Sequence, residues 1–359
     1  MEGIPNKTAV FSFYNTPSGL FKWWDEFPDE ITQKLNKQGI DHICFYRSFT
    51  EHSIYNNSEQ NIVESTNSDW LSQVKEMASK YEKVIFHTHS FYPPLKIFLL
   101  TLGKREYHWV ITEHRLGSTR ASKLKKYVRI FLRQLKLMPK QVICVSNAVK
   151  IRNESLYGAN VTTIHNGIRL KINTNTKVKK QPETAIYVGR LDPKKGIVNL
   201  VQAYNLIINH YKKTELKLIV VGGGNVLTDL KKYVKDKALE SHVTFMGYQP
   251  DPTPFYQQAD FNVIPTIIKE ACPLVSLEAR NLGLPILYTN SGGLPETVGL
   301  AGKPLRGTSP QEIATSIIEF CDNEEEYYQL LDNVKTDLDY FTMTRMTDEY
   351  VEFYRTLLS

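Results

Sequence analysis

Cysteine is scarce in this chain, and its four copies, Cys44, Cys144, Cys272 and Cys321, are scattered with no C-x-x-C pair. That spacing argues against a disulfide framework and against a structural zinc site, and it makes a reducing cytosol the default compartment. An uninterrupted apolar run of about 18 residues, the length that crosses a bilayer, is also missing. No cationic, then apolar, then small-residue leader opens the chain, so a cytoplasmic protein with at most peripheral membrane contact is expected. No D-x-D carboxylate pair follows a strand to hold a metal–diphosphate, and no H-E-x-x-H spacing supports a zinc site at His87, His89 and His114, so no metal is expected. A nicotinamide or flavin site fails on glycine spacing: a G-x-G-x-x-G fingerprint starting at Gly222 in VVGGGN needs glycine where the chain has Leu227. With metal and dinucleotide both set aside, no cofactor is expected, and VVGGGN reads as a strand-to-helix turn close to a ligand.

Acidic residues vanish between His114 and Asn153. In their place Arg115, Arg120, Lys123, Lys125, Lys126, Arg129, Arg133, Lys136 and Lys140 accumulate beside Leu124, Val128, Ile130, Phe131, Leu132, Leu135 and Leu137. The pattern is a basic amphipathic helix around 118–138, suited to an anionic membrane surface or a diphospho-lipid acceptor, with a solvated face as the plain alternative. Net charge is +6, so the asymmetry is local. No recognised nucleic-acid motif accompanies the stripe, and no nucleic acid partner is expected.

What the chain does have is apolar content and rhythm. Its 359 residues are 42% hydrophobic, enough for the cores of two domains. AVFSFY, WWDEFPDEITQKLNKQG, HICFYRSF, WLSQVKEMASKYEK, VIFHTHSF, PPLKIFLLTLGK and HWVITEH alternate strand and helix, the rhythm of a parallel sheet wrapped by helices. QVICVSN and VTTIHNG continue it. LKINTNTKVKKQPE then breaks it with polar, basic residues and reads as an interdomain linker. The expected domains are 1–170 and 171–342, followed by a terminal helix at about 343–359.

Chemistry concentrates in the second half. In EACPLVSLEARNLGLPI seven residues separate Glu270 from Glu278. Pro273 suits the N1 position of a helix and Gly283 its C′ position, so a short helix points its positive end back toward Glu270. Its opening residues Pro273, Leu274 and Val275 offer backbone donors to phosphate oxygens, while Glu278 can accept two hydrogen bonds from a ribose diol. Two glutamates at this spacing are ordinarily solvated helix charges. Here strand-like FNVIPT precedes them and LPILYT follows, which places them at a strand-to-helix crossover, where ligands bind in open parallel sheets. Upstream, TAIYVGRLDPKKGIVNLVQAY runs from a strand into Gly189, Arg190 and a Pro-Lys-Lys-Gly turn. Arg190 and Lys195 can converge there on a departing diphosphate, whose negative charge grows as the glycosidic bond breaks.

VGRLDPKKG, LKLIVVGGGN, VTFMGYQPD, the paired-Glu segment and SGGLPETV, taken in order over 184–300, resemble the donor-binding domain of family 4 retaining glycosyltransferases of the GT-B fold. VICVSNAV, VTTIHNGI and YFTMTRMTDEYVEFYRTLL extend the likeness over most of the chain. The resemblance implies an α/β protein with two Rossmann-like doubly wound domains facing across a cleft, an acceptor-side domain first and a nucleotide-sugar domain second, the terminal helix crossing back to the first. It implies donor-binding roles for Gly19, Gly189, Gly223, Tyr248, Pro273, Leu274, Val275 and Glu278. His114, in ITEHRLG, matches the position of a histidine beside the reacting sugar and joins Arg190, Lys195 and Glu270 as catalytic.

Two departures stand out: Ser18 replaces the partner of Gly19 in a usual glycine pair, and Ala271-Cys272 replaces a small residue and Phe in the sugar pocket. The Trp23-Trp24 pair reads as helix packing. The expected reaction is transfer of a sugar from a nucleotide-diphosphate donor to a glycan or lipid-linked acceptor in cell-surface polysaccharide or glycoconjugate synthesis. Configuration is retained without a metal, the acceptor hydroxyl attacking on the face the diphosphate leaves and Glu270 orienting the donor ring. A GT-B nucleotide-sugar epimerase and a non-catalytic GT-B subunit of a glycosyltransferase complex are the alternatives. Intact Arg190, Lys195, Glu270 and Glu278 weigh against the second.

Overall fold

Strands buried on both faces can be satisfied only by helices on both sides, and this chain builds two such sheets. The computed structural model describes residues 8–14, 22–46, 62–64, 70–89, 94–101, 103–104, 106–116, 139, 141–157, 160–170 and 181–359. Gly19, Ser18 and the basic segment 118–138 lie outside the described residues, as does most of the expected linker. The chain divides into two compact units, Met1–Gly167 with Met343–Ser359, and Ile168–Thr342.

In the first unit, strands β1 (Thr8–Tyr14), β2 (Asp41–Tyr46), β3 (Ile62–Glu64), β4 (Lys83–His89), β5 (Tyr107–Glu113), β6 (Gln141–Cys144) and β7 (Val161–Thr163) form a parallel sheet in the order β3-β2-β1-β4-β5-β6-β7. Phe11 lies beside Ile43 on one side and Phe86 on the other. One face is aromatic and dry: Phe13 stacks on Phe45 at 5.0 Å and Phe11 meets Phe86 edge-on at 5.6 Å, with Trp70, Val74 and Trp109 completing the cluster. Because side chains alternate along a strand, the opposite face carries Ser12, His42, His87, His89 and Thr112. These polar groups are buried. The terminal helix Met343–Leu358 supplies Tyr350 and Tyr354 to this face.

In the second unit, strands β8 (Thr184–Val188), β9 (Lys217–Val221), β10 (Val243–Gly247), β11 (Phe261–Ile264), β12 (Ile286–Tyr288) and β13 (Gly302–Pro304) are parallel in the order β10-β9-β8-β11-β12-β13. That is the doubly wound arrangement, with its topological switch between β8 and β11. One face packs Ala185, Leu218, Val220, Phe261 and Val263 against the helices Ile197–Asn205 and Pro310–Cys321. The other packs Ile186, Val221, Ile264 and Ile286 against Tyr256, Ala279, Leu282 and Leu294.

In the second unit the loops at the carboxyl ends of β8 and β11 meet at the switch point. All four cysteines are free and buried. Among the described residues no helix is long and apolar enough to cross a membrane.

Candidate functional site

At the β8–β11 switch the loops are tied to one another by backbone hydrogen bonds. Gly189 N–H donates to Val221 O at 3.0 Å, Gly222 N–H to Gly247 O at 2.7 Å, Leu191 N–H to Gly223 O at 2.9 Å and Ile267 N–H to Lys194 O at 3.0 Å. Such close approach dictates glycine at particular places. A Cβ on Gly222, at φ +145°, would meet Gly189 O at 1.9 Å, and one on Gly196, at φ +76°, would meet Pro265 O at 1.9 Å. The glycines of VVGGGN therefore serve the passage of the loop. Gly223 itself is half-buried, and its nearest neighbour would be the Tyr248 Cβ at 3.7 Å, so space alone does not require glycine there. Tyr248 leaves 49% of its surface exposed above this loop.

After Gly189 the chain makes a single 3-10 turn, Pro193–Lys195, capped by the Asp192 side chain accepting from Lys194 N–H. The turn aims Lys195 at Glu270, and the Nζ lies 2.6 Å from Oε1. Thr266 Oγ donates to the same Oε1 at 3.0 Å. The Glu270 backbone is held as well, its carbonyl accepting from Gly293 N–H at 2.7 Å in the SGGLPETV segment. Arg190 does not join this pair. It is 66% exposed and bridges to Asp192 at 3.2 Å, so the convergence of Arg190 with Lys195 expected from sequence is replaced by two separate ion pairs. Tyr187 donates its hydroxyl to Arg190 O at 2.9 Å, and burial together with the charges of Glu270 and Asp192 pushes that phenol above its ordinary range.

The paired-Glu segment forms the helix Leu274–Asn281. Pro273 is its N-cap and not its N1 residue, because its extended ψ of 118° delays the first helical turn by one position. Proline has no N–H, so the amides of the helix N-terminus begin at Leu274 and continue at Val275. No side chain caps these amides. Leu274 and Val275 turn their side chains into packing, against Ile168 and Phe341 in one case and the Ile264 cluster in the other. Gly283 occupies C′ at φ +85°; its N–H reaches Arg280 O at 2.9 Å and Leu284 N–H reaches Ala279 O at 2.9 Å, a Schellman closure.

Three groups that sequence reasoning did not single out fix this helix. Ser276 Oγ meets Thr297 Oγ at 2.7 Å. Fully buried Arg280 donates to the carbonyls of Thr297, Val334 and Thr336 and to the Asp337 carboxylate. Tyr256, fully buried, donates its hydroxyl to Val275 O at 3.4 Å. Each partner is distant in sequence, and no spacing rule announces it.

In the first unit His114 follows β5 half-buried, its Nε2 2.9 Å from His89 Nδ1 and its ring stacked on His89 at 5.2 Å. His89 in turn stacks on Tyr14 at 4.6 Å. His87 bridges Tyr354 at 2.5 Å and Thr112 at 2.7 Å, while His42 lies between Ser12 at 2.7 Å and Thr32 at 2.6 Å. Burial holds all four imidazoles well below the ordinary histidine range, with Arg115 adding to the effect at His114. His114 is thus the solvent-side end of a histidine pair, which the sequence reading had split between a functional and a structural residue. Among the described residues no three His, Cys, Asp or Glu side chains are grouped to hold a metal ion.

Comparison with known proteins agrees with this architecture. Residues 169–337 match the family Glycosyl transferases group 1, and residues 29–171 match Glycosyltransferase Family 4. A D-inositol 3-phosphate glycosyltransferase of Corynebacterium kroppenstedtii is 30% identical over 156 residues, 41% of this chain and 34% of the relative. A GDP-mannose-dependent alpha-(1-6)-phosphatidylinositol monomannoside mannosyltransferase of Mycobacterium tuberculosis is 32% identical over 161 residues, 42% of this chain and 41% of the relative. The chain therefore spans well under half the length of these two relatives. The solved structure of Anabaena HepE in complex with UDP-glucose superposes with a TM-score of 0.76 at 15% identity, covering 97% of this chain and 99% of that one. Matched from residue 29 to residue 337 by these two families and folded as two doubly wound units, the chain belongs to the family 4 glycosyltransferases of the GT-B fold.

Proposed function

We propose that this protein transfers a sugar from a nucleotide-diphosphate donor to a glycan or lipid-linked acceptor, with retention of anomeric configuration and without a metal, in the assembly of cell-surface polysaccharide or glycoconjugate. The observation that carries the reading is the Lys195–Glu270 pair, 2.6 Å apart beside the uncapped amides of Leu274 and Val275. A cation, a helix N-terminus and a sugar-sized carboxylate side by side are what a departing diphosphate and its sugar require. In this mechanism the diphosphate draws Lys195 away from Glu270. Glu270 is thereby released to orient the donor ring, and Lys195 meets the charge that grows on the leaving group, with Arg190 adding a more distant positive charge. The acceptor hydroxyl attacks on the face the diphosphate leaves, and the leaving phosphate takes its proton. Glu278 accepts the ribose diol, the backbone at Gly189 and Gly223 and the ring of Tyr248 border the nucleotide, and His114 hydrogen-bonds the transferred sugar.

The names of the relatives support nucleotide sugars as donors, GDP-mannose for the mycobacterial enzyme and UDP-glucose in the HepE complex. The segment 118–138 would hold an anionic membrane surface or a lipid-linked acceptor, placing the protein on the cytoplasmic face. The direct test is thermal shift with UDP, GDP, UDP-glucose and GDP-mannose in the presence of a chelator. A ligand at about 100 times its Kd raises stability by about 2.7 kcal/mol, an easily read rise in melting temperature. No shift with any nucleotide, or a shift abolished by chelation, contradicts the proposal.

A further inference from the structure

Between β11 and Glu270 the chain runs Pro265-Thr266-Ile267-Ile268-Lys269, pressed against the turn that carries Lys195. Pro265 O occupies the space a side chain on Gly196 would need, 1.9 Å from its Cβ position, and Ile267 N–H donates to Lys194 O at 3.0 Å. The residues on either side of Thr266 are thereby tied to the turn, so Lys195 and Thr266 are presented from one platform. Thr266 is 1% exposed and β-branched, so its χ1 is stiff and water does not compete for its hydroxyl. That hydroxyl donates to Glu270 Oε1 at 3.0 Å, the same oxygen that Lys195 Nζ approaches at 2.6 Å. Lys194 O and Ile268 O, each 3.5 Å from the hydroxyl, are at the limit of a hydrogen bond, and an ionised carboxylate is the stronger acceptor.

We propose that Thr266 is a positioning residue for the donor sugar: its buried hydroxyl keeps hold of Glu270 Oε1 when Lys195 turns to the diphosphate, so that the carboxylate stays aimed at the sugar. The proposal rests on Glu270 orienting the donor ring. Glu270 has its carbonyl fixed by Gly293 N–H and its Oε1 fixed from the 193–196 platform, and only the second restraint acts on the carboxylate. Once the diphosphate takes Lys195, the Thr266 hydroxyl is the part of that restraint that remains. A glutamate without it would have to be ordered at the moment of binding, and the threonine makes that ordering part of the fold. A carboxylate has about four lone-pair sites, so accepting from Thr266 leaves capacity for sugar hydroxyls. Thr266 itself touches neither phosphate nor sugar in this scheme, so its effect appears in the share of affinity that the sugar adds.

The test is calorimetry of UDP beside UDP-glucose, and of GDP beside GDP-mannose, with the wild type, Thr266→Val, Thr266→Ser, Glu270→Ala and the Thr266→Val, Glu270→Ala double variant. The readout is the affinity for the nucleotide sugar relative to its diphosphate, and melting temperatures without ligand confirm that each variant keeps the fold. Thr266→Val is expected to weaken the nucleotide sugar about three- to tenfold, the effect of one lost hydrogen bond, while the diphosphate stays within about twofold of the wild type. Thr266→Ser restores the hydroxyl and should recover most of the loss. In the Glu270→Ala background Thr266→Val should add nothing further. Equal weakening of sugar and diphosphate by Thr266→Val would show a general structural role and overturn the proposal, as would wild-type affinity for both or no recovery with serine. If Glu270→Ala itself binds both ligands as the wild type does, the sugar reading of Glu270 fails and takes the proposal with it, an outcome distinguishable because it does not involve Thr266.

Discussion

Lys195 lies 2.6 Å from the Glu270 carboxylate, and in the proposed mechanism the diphosphate takes the place of that carboxylate. Lys195→Ala should lower turnover by about 10²–10³, the usual cost of one electrostatic donor to a leaving group. Its melting temperature should move little, because ion pairs near the surface contribute about 0–1 kcal/mol; assays with the true donor beside thermal melts check both. Arg190, 66% exposed and already paired with Asp192, acts through more water, so Arg190→Ala should cost less than Lys195→Ala. The two glutamates should divide differently. Glu278→Gln should weaken nucleoside diphosphate by about 1–3 kcal/mol, the loss of a charge-assisted pair of hydrogen bonds. Glu270→Gln removes the competitor for Lys195, so it should keep or slightly raise diphosphate affinity and lose transfer. Calorimetry with the free diphosphate alongside turnover separates them, and the reverse pattern would refute the assignment.

The terminal helix Met343–Leu358 is the element on which the first unit depends, since Tyr350 and Tyr354 satisfy Thr112 and His87 inside the protein. Burial lowers His42 from 6.5 to about 3 and lowers His87 and His89 in the same direction. Their folded-state values lie below the unfolded ones, so the stability they confer is fully present above pH 6.5 and is lost as pH falls from there toward 3. Across that window His42 should contribute a slope of about 1.4 kcal/mol per pH unit, with His87 and His89 adding in the same direction. Urea midpoints measured at pH 7.5 and 5.5 should fall together with pH, and a flat profile would show that these imidazoles are solvated.

Legibility from sequence follows the same physics. β1, β4, β8 and β11 were visible as apolar runs, and Gly283 marked the helix end it closes. β3 and β13 read only IVE and GKP, with no longer apolar run around them to register, whereas β7 and β12, also three residues long, sit within VTTIHNG and LPILYT. Pro273 misleads by one position because the residue is equally at home at a helix cap. Tyr256 and Arg280 were invisible because their partners lie 19 and 17–57 residues away and are brought together only by the fold. The linkage of His114 to His89 arises likewise, from β4 and β5 lying side by side.

At the scale of the whole molecule, two doubly wound units and family membership set the frame, and two measurements probe how it is used. The Lys and Arg residues of 118–138, with no acidic residue among them, should each gain about 1 kcal/mol near an anionic surface. Flotation should therefore recover the protein with anionic vesicles at low salt, release it at high salt and leave it behind with neutral vesicles; equal behaviour with both would reduce the segment to a solvated face. The claim that ties the account together is retaining, metal-independent transfer from a nucleotide sugar, and proton NMR of the product reads it directly. With chelator present and a donor selected by thermal shift, the anomeric coupling of the newly formed linkage should match that of the donor sugar. An inverted anomer, or transfer that stops when the chelator is added, would contradict it.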